Sequence, residues 1–594
     1  MATQAGRMVP SKFNHQIIRV SQHGFASRTS PRLKVKTDSI SPLYRFGGVH
    51  GGASHQKTWR NKPLFRREGD QQFRTGAEAA EMLLSEALRK DPHSTDFLES
   101  LQDIVPALAP VFDRAPKYAW IAKQLLEPER AIQFRVAWLD DNGNSRMNRG
   151  FRVQYSSALG PYEGGLHFVG GMSSDGCKAS DFEALGMETV FANALTSENL
   201  GAAAGGADFN PHNKSEAEIQ RFCQSYMTEL TKYIGPDLDV PSMGYGVGLP
   251  EVGYLYGQYK RINDHVAQRG RGVLWGGAMP YPEATGYGVV EFAKCMLEDK
   301  GDTLKGKRCL ITGSGKVSNT ATDTDVYSCR QHAVVCTGDF KGGNCTWTPA
   351  SVSCLSVCGS SHPVRVLLIF KFQTVALTSV LKLMSVLRLQ VAVHVAEKLL
   401  QLGAIPLTFS DSSGFIYEPE GIDSAKLRTI VKIKSERGAR VGRYIIASTT
   451  AKYSEPASIL SIPCDLAFAC SHRNEIDDAG ATLLADTGCS AVIEGASAPC
   501  TKAAKAVFRK RGLSFAPHVA TLCGSGIVSG LALATNPLGA KENINDRVEE
   551  KMKAIFTDVK ATATEFNARG DYGAGATISG FLKVGDVMLS HGAV

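Results

Sequence analysis

The sequence has no long hydrophobic run that is free of charge. Its most apolar stretch, residues 364–389 of 594, is interrupted by four basic side chains: Arg365, Lys371, Lys382 and Arg388. A membrane-spanning helix needs about 20 apolar residues in succession, so we expect no membrane association. No apolar core of a secretory signal follows Met1 either.

Cysteine is too sparse for a disulfide scaffold, since the chain has 14 cysteines in 594 residues. No two of them form a Cys-x-x-Cys pair, and Cys354 and Cys358 have no histidine partner at the spacing of a zinc site. We therefore expect buried or incidental thiols and no metal centre.

Acidic residues are almost absent from residues 1–67, where Asp38 stands alone among many lysines and arginines. A basic segment of this kind is typical of an organelle transit peptide, mitochondrial or plastid. A disordered basic tail on a cytoplasmic protein is the alternative. The segment accounts for the formal net charge of +8. Because the rest of the chain is near neutral, nucleic-acid binding is not expected.

The remaining pattern mixes helices and strands. Apolar residues recur every three or four positions in 77–89 and 95–112, which predicts helices. They alternate with polar residues in 131–139 and 150–155, which predicts two strands joined by a hairpin at residues 140–143. Later in the chain we predict short strands at 466–469, 491–493 and 513–515 and helices at 546–569 and 578–589.

A dinucleotide-binding turn is indicated near the middle of the chain. A buried strand at 308–312 runs directly into Gly313-Ser314-Gly315. The expected helix follows only at 391–404, and a strand at 405–410 then ends at Asp411. Joining Lys316 to residue 391 gives GSGKVAVHVAEKLLQLGA, a complete glycine turn and helix that leaves Asp411 at the right distance for a ribose contact.

Residues 317–390 therefore look like an insertion in the phosphate-binding loop. The segment begins Val-Ser, which GTGAGT can encode, and ends in Gln390, which CAG can encode. These are the borders of an intron, so we hypothesise a retained intron that is translated in frame. The alternative is a genuine inserted loop, although long loops without regular structure are uncommon inside compact domains.

Several motifs resemble those of the hexameric glutamate dehydrogenases, within the Glu/Leu/Phe/Val dehydrogenase superfamily. The similarity extends over residues 70–316 and 391–594. The motifs that carry it are these: LEPERAIQFRV at 126–136, NRGFRVQ at 148–154, GPYEGGL at 160–166, RFCQSYMTEL at 221–230, PEATGYG at 282–288 and SDSSG at 410–414.

The resemblance implies an α/β fold of two domains and a reaction in the cleft between them. Residues 68–281 are expected to form a substrate and oligomerisation domain, and residues 282–549 a Rossmann-like cofactor domain that contains the insertion. Residues 550–594 are expected to return as helices to the first domain. The family reaction converts L-glutamate, NADP and water to 2-oxoglutarate, ammonia and NADPH, and the implied assembly is a homohexamer.

The charged residues that this chemistry requires are substituted. By the resemblance, Glu163 replaces a lysine that binds the side-chain carboxylate of the substrate, and Ala192 replaces one that binds its α-carboxylate. Ala204 replaces the catalytic lysine of a glycine-rich turn at 201–206, and Gly244 replaces the catalytic aspartate. Further substituted positions around the substrate are Thr189, Met243, His167, Val169 and Tyr281.

Other site residues are retained. Ser529 matches a serine that helps to bind the side-chain carboxylate, while Thr285 and Asn474 match residues that border the cofactor. The remaining cofactor candidates are Gly313, Ser314, Gly315, Lys316, Ser410 and Asp411. Hydroxyls beside Asp411 can hydrogen-bond a 2′-phosphate, which favours NADP, whereas Asp411 itself can hold the ribose diol of NAD.

Three hypotheses follow from the sequence. The chain is a working NADP-dependent glutamate dehydrogenase, an inactive relative that serves as a binding or assembly subunit, or a decayed or misannotated gene product. The preserved apolar and glycine framework favours the first two hypotheses, whereas the insertion favours the third.

Overall fold

The computed structural model describes residues 73–169, 177–211, 214–263, 283–313, 391–436, 439–454, 456–533 and 544–592. The basic segment 1–67, the insertion 317–390, and the residues Ser314, Gly315, Lys316 and Tyr281 lie outside these ranges.

Four helices open the described chain: α1 (Gly76–Lys90), α2 (Thr95–Ala107), α3 (Ala109–Arg114) and α4 (Lys117–Leu125). The prediction of one helix over 95–112 is wrong, because two helices divide at Leu108. Pro110 has no N–H to donate to the carbonyl four residues earlier, which disfavours continuation of the first helix, and it lies instead in the first turn of α3, where no such donor is needed.

The first sheet has five strands in the order β1-β2-β4-β3-β5. β1 and β2 form the predicted antiparallel hairpin, while β3 runs parallel to both β4 and β5. Helix α5 packs against β2 and β4 on one face, and α6 packs against β1. The elements are β1 (Arg130–Leu139), β2 (Ser145–Ser156), β3 (Tyr162–Phe168), α5 (Ala179–Thr196), β4 (Ala202–Ala207), α6 (Glu216–Leu230), β5 (Asp239–Ser242) and α7 (Leu249–Ile262).

Residues 201–206, expected as a glycine-rich turn, form most of strand β4. Local preference for a turn is overridden because β2 hydrogen-bonds one edge of this segment and β3 the other. All six residues of β4 are buried. Ala204 therefore lies in the centre of a sheet and not on a turn.

The second sheet is parallel, with the order β13-β12-β11-β6-β7. The predicted strand at 405–410 divides, because β7 joins this sheet whereas β8 joins a three-stranded antiparallel sheet, β10-β9-β8. The strands are β6 (Arg308–Ile311), β7 (Ile405–Pro406), β8 (Thr408–Asp411), β9 (Gly414–Tyr417), β10 (Lys452–Ser454), β11 (Leu466–Ala469), β12 (Ala491–Glu494) and β13 (Ser514–Ala516).

The remaining helices pack around the second sheet or return to the first four helices. They are α8 (Glu283–Glu298), α9 (Val391–Gln401), α10 (Ser424–Ser435), α11 (Asp478–Asp486), α12 (Lys502–Arg511), α13 (His518–Thr521), α14 (Cys523–Leu533), α15 (Ile544–Glu565) and α16 (Tyr572–Ser590). Two 3-10 helices span Val441–Ala447 and Pro456–Ser461.

The last helix, α16, lies against the helices at the start of the described chain. Its Phe581 ring meets Phe112 and Tyr118 edge-on, at centroid distances of 6.3 and 5.9 Å. The mixed α/β fold agrees with the predicted class. Among the described helices, none combines the length and apolar character needed to cross a bilayer.

Candidate functional site

The four substituted positions lie on neighbouring elements of the first sheet and its covering helix, with Glu163 on β3, Ala192 on α5, Ala204 on β4 and Gly244 just after β5. Ala204 pairs with Val153 of β2, whose side chain lies in the core beneath α5. Glu163 of β3 is hydrogen-bonded by Asn193 of α5, next to Ala192. A side chain at Gly244 would touch His167 of β3.

Glu163 occupies a pocket of polar side chains from three other elements. Ser529 of α14 donates its hydroxyl to Oε1 at 2.9 Å, and Asn193 donates its amide to Oε2 at 3.2 Å. Glu163 is only 5% exposed. Burial raises the pKa of the carboxyl, and hydrogen bonds from Ser242, Ser529 and Asn193 partly offset that rise. The side chain thus presents a buried acid where the resemblance implies a cation.

The positions of the two other expected lysines are apolar. Ala204 is 1% exposed and belongs to the main hydrophobic core. Ala192 packs against the same core, and the thiol of Cys523 donates to its carbonyl at 3.3 Å. Thr189 donates its hydroxyl back to the Leu185 carbonyl at 2.7 Å. Neither alanine can carry a proton or attract a carboxylate.

The turn after β5 is closely packed at Gly244. A Cβ built there would lie 2.3 Å from the carbonyl oxygen of Leu166 and 3.0 Å from Cε1 of His167. The backbone N–H of Tyr245 donates to Nδ1 of His167 at 3.1 Å. Burial and the nearby Arg152 charge lower the pKa of His167 to about 4, so this imidazole is neutral at physiological pH. Met243 packs on the core between β1, β3 and α6.

A fully buried ion pair joins β2 to β5 in the same sheet. Arg152 of β2 donates from Nη2 and Nε to the carboxylate of Asp239 at 2.5 and 3.0 Å, and both side chains are 0% exposed. Gln154 also donates to Asp239, at 2.8 Å. Sequence reasoning missed this pair. Its one signal was an arginine among the apolar residues of 150–155.

The carboxyl ends of β6 and β11 form the candidate cofactor edge. Strand order reverses between them, and ligands of open parallel sheets bind at such a point. Gly313 follows β6 with φ of 82°, and a Cβ there would lie 2.8 Å from the carbonyl oxygen of Cys470. Its N–H donates to Oγ of Ser410 at 2.7 Å. Gly313 thus has the left-handed backbone conformation that favours glycine, and the assignment of this turn to a cofactor stays a prediction.

Asp411 is fully engaged by the protein. Oδ1 accepts from the N–H and hydroxyl of Ser413, and Oδ2 accepts from Lys434 Nζ at 2.9 Å and the Val441 N–H at 2.8 Å. Burial acts to raise the pKa of Asp411, but these hydrogen bonds and the Lys434 charge outweigh it and hold the pKa at about 2. Its acceptor sites are thus occupied without a ribose. Lys434 was missed because it lies 23 residues away along the chain.

Ser412 lies beside a second cation that the sequence reasoning also missed. Arg440 donates from Nη1 to the Ser412 hydroxyl at 2.5 Å, and its side chain is half-buried. A hydroxyl and a guanidinium at the end of β8 together suit a phosphate.

The retained cofactor candidates Asn474 and Thr285 lie on different elements. Asn474 follows β11, has φ of 54° and donates to Glu99 of α2 at 3.0 Å. Thr285 is buried in the first turn of α8. The neighbour of Asn474, Arg473, donates twice to Oε1 of Glu188 in α5, at 2.9 and 3.0 Å. This loop therefore ties the second sheet to the helices around the first.

His518 lies between two buried carboxylates and adds to these contacts between the two sheets' elements. Its Nδ1 lies 2.8 Å from Oε2 of Glu494, and its Nε2 lies 3.4 Å from Oε2 of Glu188. Burial disfavours its charged form, but the two carboxylates outweigh this and raise its pKa to about 9. We call Arg473, Glu188, His518 and Glu494 the bridging cluster. The sequence reasoning missed it, because no motif marks its members.

Comparison with known proteins is consistent with these elements. A family profile described as Glu/Leu/Phe/Val dehydrogenase, dimerisation domain, matches residues 128–261. A second, described as Glutamate/Leucine/Phenylalanine/Valine dehydrogenase, matches residues 276–346 and 390–592. The unmatched residues 347–389 lie inside the predicted insertion.

Individual relatives match over most of their length. The chain is 37% identical to an NADP-specific glutamate dehydrogenase of Chlorella sorokiniana, over 86% of this chain and 84% of that protein. It is 35% identical to that of Giardia intestinalis, over 87% and 100%. Plasmodium falciparum glutamate dehydrogenase 2 matches in structure with a TM-score of 0.68 at 34% identity, over 89% and 100%. The chain therefore belongs to the Glu/Leu/Phe/Val dehydrogenase family, as a glutamate dehydrogenase-like member.

Proposed function

We propose that the chain is a non-catalytic glutamate dehydrogenase-like protein that binds NADP but does not convert L-glutamate to 2-oxoglutarate. The observation that carries this is the apolar packing of Ala204, 1% exposed in the central strand of the first sheet. The reaction needs an amine to hold the carbonyl or water and a carboxylate to move protons. Ala204 and Gly244 supply neither.

The cofactor proposal rests on groups at the ends of β6 and β8. Gly313 directly follows β6 with a φ of 82°, the position and conformation at which a pyrophosphate-binding turn would begin. Ser412 and Arg440 are suited to the 2′-phosphate that distinguishes NADP from NAD. The carboxylate of Asp411 already accepts hydrogen bonds from Lys434, Val441 and Ser413. It is therefore not free to accept those of a ribose diol, which would favour NAD. Names of the curated relatives support NADP as well.

A working NADP-dependent glutamate dehydrogenase is the second candidate, favoured by the 37% identity to an NADP-specific enzyme. One pair of measurements separates the two. With the full chain, we expect NADPH to bind, as seen by quenching or transfer of its fluorescence. We expect no glutamate-dependent NADPH absorbance above the protein-free rate. A turnover near one per second that Ser529→Ala abolishes would establish the working enzyme instead.

The family profile for residues 128–261 is described as a dimerisation domain, which supports a homo-oligomer, and we propose a hexamer. A non-catalytic chain can then act as an assembly subunit beside an active paralogue. Co-expression with that paralogue is expected to give mixed oligomers in native mass spectrometry. Recovery of homogeneous species alone would argue against this role.

We also propose an organelle location on the basis of the basic segment 1–67. A fluorescent protein fused after this segment is expected to enter mitochondria or plastids. The same fusion without the segment is expected to stay in the cytoplasm.

A further inference from the structure

Glu163 lies in a pocket whose donors match a carboxylate. Ser529 of α14 reaches Oε1 at 2.9 Å, and Asn193 of α5 reaches Oε2 at 3.2 Å. The Ser242 hydroxyl at the end of β5 lies near enough to lower the pKa of the carboxyl. Two donors from α14 and α5 therefore converge on one group beside a third polar side chain, and hydroxyls and an amide can hold a carboxyl without a cation.

The carboxyl lacks a direct cationic partner within the described residues. Arg152 acts on it only over a longer range, since its guanidinium is hydrogen-bonded to Asp239 and to the carbonyl of Gly164. A buried carboxyl without an ion pair is costly, and desolvation accordingly raises its pKa. The geometry nevertheless keeps this side chain inward, 5% exposed, and bonded to Ser529.

We propose that Glu163 is an internal ligand, a side-chain carboxyl that occupies a carboxylate-binding site and so excludes ligands with a distal carboxylate from it. This inference rests on the proposed function, because it names Glu163 as the residue that determines specificity at the same site. The class of ligand excluded is the dicarboxylates, and the groups that would otherwise receive the distal carboxylate are Ser529, Asn193 and Ser242.

A vacant pocket should therefore accept a small carboxylate from solution. Glu163→Ala removes four non-hydrogen atoms, Cγ, Cδ and both carboxyl oxygens. Acetate has the same number and the same end group. The three polar side chains remain on α14, α5 and β5, and Ser529 is only partly buried, which leaves a route for entry. Unfilled donors in a buried site favour binding of a group that satisfies them.

The test is binding of acetate to full-length Glu163→Ala without cofactor. We expect acetate to bind with a Kd of about 1 mM, which is weaker than the efficiency limit for a ligand of four heavy atoms. We expect 100 mM sodium acetate to raise the thermal midpoint of the variant by about 3 °C over 100 mM sodium chloride. Wild type and Glu163→Gln, whose pocket is filled, are expected to show no difference between the two salts. Acetamide, which has the same size but no charge, should have a smaller effect.

Two further variants show whether the pocket itself is responsible. Adding Ser529→Ala to Glu163→Ala should weaken acetate binding at least ten-fold. Glu183→Ala, which removes another partly buried carboxyl beside the first sheet, should not respond to acetate. A folded Glu163→Ala that responds equally to acetate and chloride overturns the proposal, as does an acetate response in wild type.

Loss of folding in Glu163→Ala would not end the test. In that case the refolding yield of Glu163→Ala and of Glu163→Ser is compared in acetate and in chloride, and equal yields overturn the proposal. The result is independent of catalysis. Glutamate turnover by wild type would refute the proposed function, whereas absence of an acetate response would refute only the internal ligand.

Discussion

Gly244 stands where the family's catalytic aspartate is expected, yet the residue cannot simply be restored. A Cβ at this position would lie 2.3 Å from the carbonyl oxygen of Leu166, so the backbone must shift to admit any side chain. Forced overpacking of this kind costs about 1–3 kcal/mol. We expect Gly244→Ala to lower the free energy of unfolding by that amount in urea titrations.

The matched control is Gly257 in helix α7, where nothing lies within 4 Å of an added Cβ. Gly257→Ala should be neutral or stabilise by up to about 1 kcal/mol, because alanine favours helices. Because Gly244 has no room for a side chain and Ala204 is buried in the core, the double variant Ala204→Lys, Gly244→Asp is expected to lose stability without gaining activity. Equal stability of Gly244→Ala and wild type would contradict the packing described at this turn.

A second prediction concerns the buried pair Arg152–Asp239. Removal of one member leaves an uncompensated charge in the interior, which costs about 3–5 kcal/mol. Both side chains are 0% exposed, so Asp239→Ala should lower the free energy of unfolding by that amount. Arg443–Glu436, with side chains 51% and 53% exposed, is the comparison. Arg443→Ala should cost less than about 1 kcal/mol, and similar losses at both sites would contradict the argument.

The resemblance assigns Glu163, Ala192 and Gly244 to one expected site, and their roles there stay predictions. Contacts between distant parts of the chain could not be derived from the motifs. The hydrogen bond from Ser529 to Glu163 joins residues 366 apart in sequence, and only the packing of α14 on α5 creates it. The Lys434–Asp411 pair likewise joins α10 to the end of β8, and no motif marks it.

The bridging cluster connects whole elements. Arg473 follows β11 and Glu494 ends β12, whereas Glu188 belongs to α5. Ser100 of α2 joins them, donating to Glu188 Oε1 at 2.8 Å. Lys505 of α12 lies near Glu494 and binds Asp103 of α2 at 2.6 Å. These contacts hold the carboxyl edge of the second sheet against the helices that cover the first.

The pH dependence of stability should reveal the charge on His518. Its pKa rises from 6.5 to about 9 on folding because Glu188 and Glu494 face it. A raised folded-state pKa adds stability that is complete below the unfolded value of 6.5 and is lost as pH rises through about 9. Glu188, with a pKa of about 2, stays ionised throughout this range.

We therefore expect wild type to exceed His518→Gln in free energy of unfolding at pH 6 and the difference to shrink steadily toward pH 10. Urea titrations at fixed ionic strength measure it. His591→Gln, at the exposed end of α16, is the control and should track wild type at every pH. A constant difference between wild type and His518→Gln would mean that His518 is not charged in the fold.

Element types were predictable where periodicity and local chemistry agreed. The β1–β2 hairpin and helix α9 match their predicted positions, because an Asp-Asn-Gly turn and an amphipathic repeat specify them locally. β4 did not match, since its alanines and glycines favour a turn and only pairing on both edges makes them a strand. The division of 405–410 between two sheets depends on a remote partner only for β7, which pairs with β6 on the other side of residues 317–390, whereas β8 forms a local hairpin with β9.

At the scale of the whole molecule, β6, α9 and β7 form one parallel crossover unit. β6 pairs directly with β7, and α9 packs against α8. The helix is already complete from Val391, so a loop of about 2–6 residues would suffice to connect it to β6. Residues 317–390 stand in that connection, between Gly313 and the helix whose N-terminus should face a pyrophosphate.

Deletion of 317–390, with Lys316 joined to Val391, should therefore strengthen nucleotide binding. The junction restores a continuous glycine turn and helix, and the backbone N–H groups can then converge on the phosphates. We expect the Kd for NADPH, measured by fluorescence titration, to fall at least ten-fold relative to the full chain, a gain of about 1.4 kcal/mol. Deletion of 1–67 is the control for shortening the chain and should leave the Kd unchanged.

Equal affinities with and without 317–390 would mean that the segment is compatible with the phosphate site. Transcripts that always retain it would then identify it as a genuine loop. Tighter binding after the deletion, together with spliced messages that omit the segment, would identify the shorter chain as the functional form.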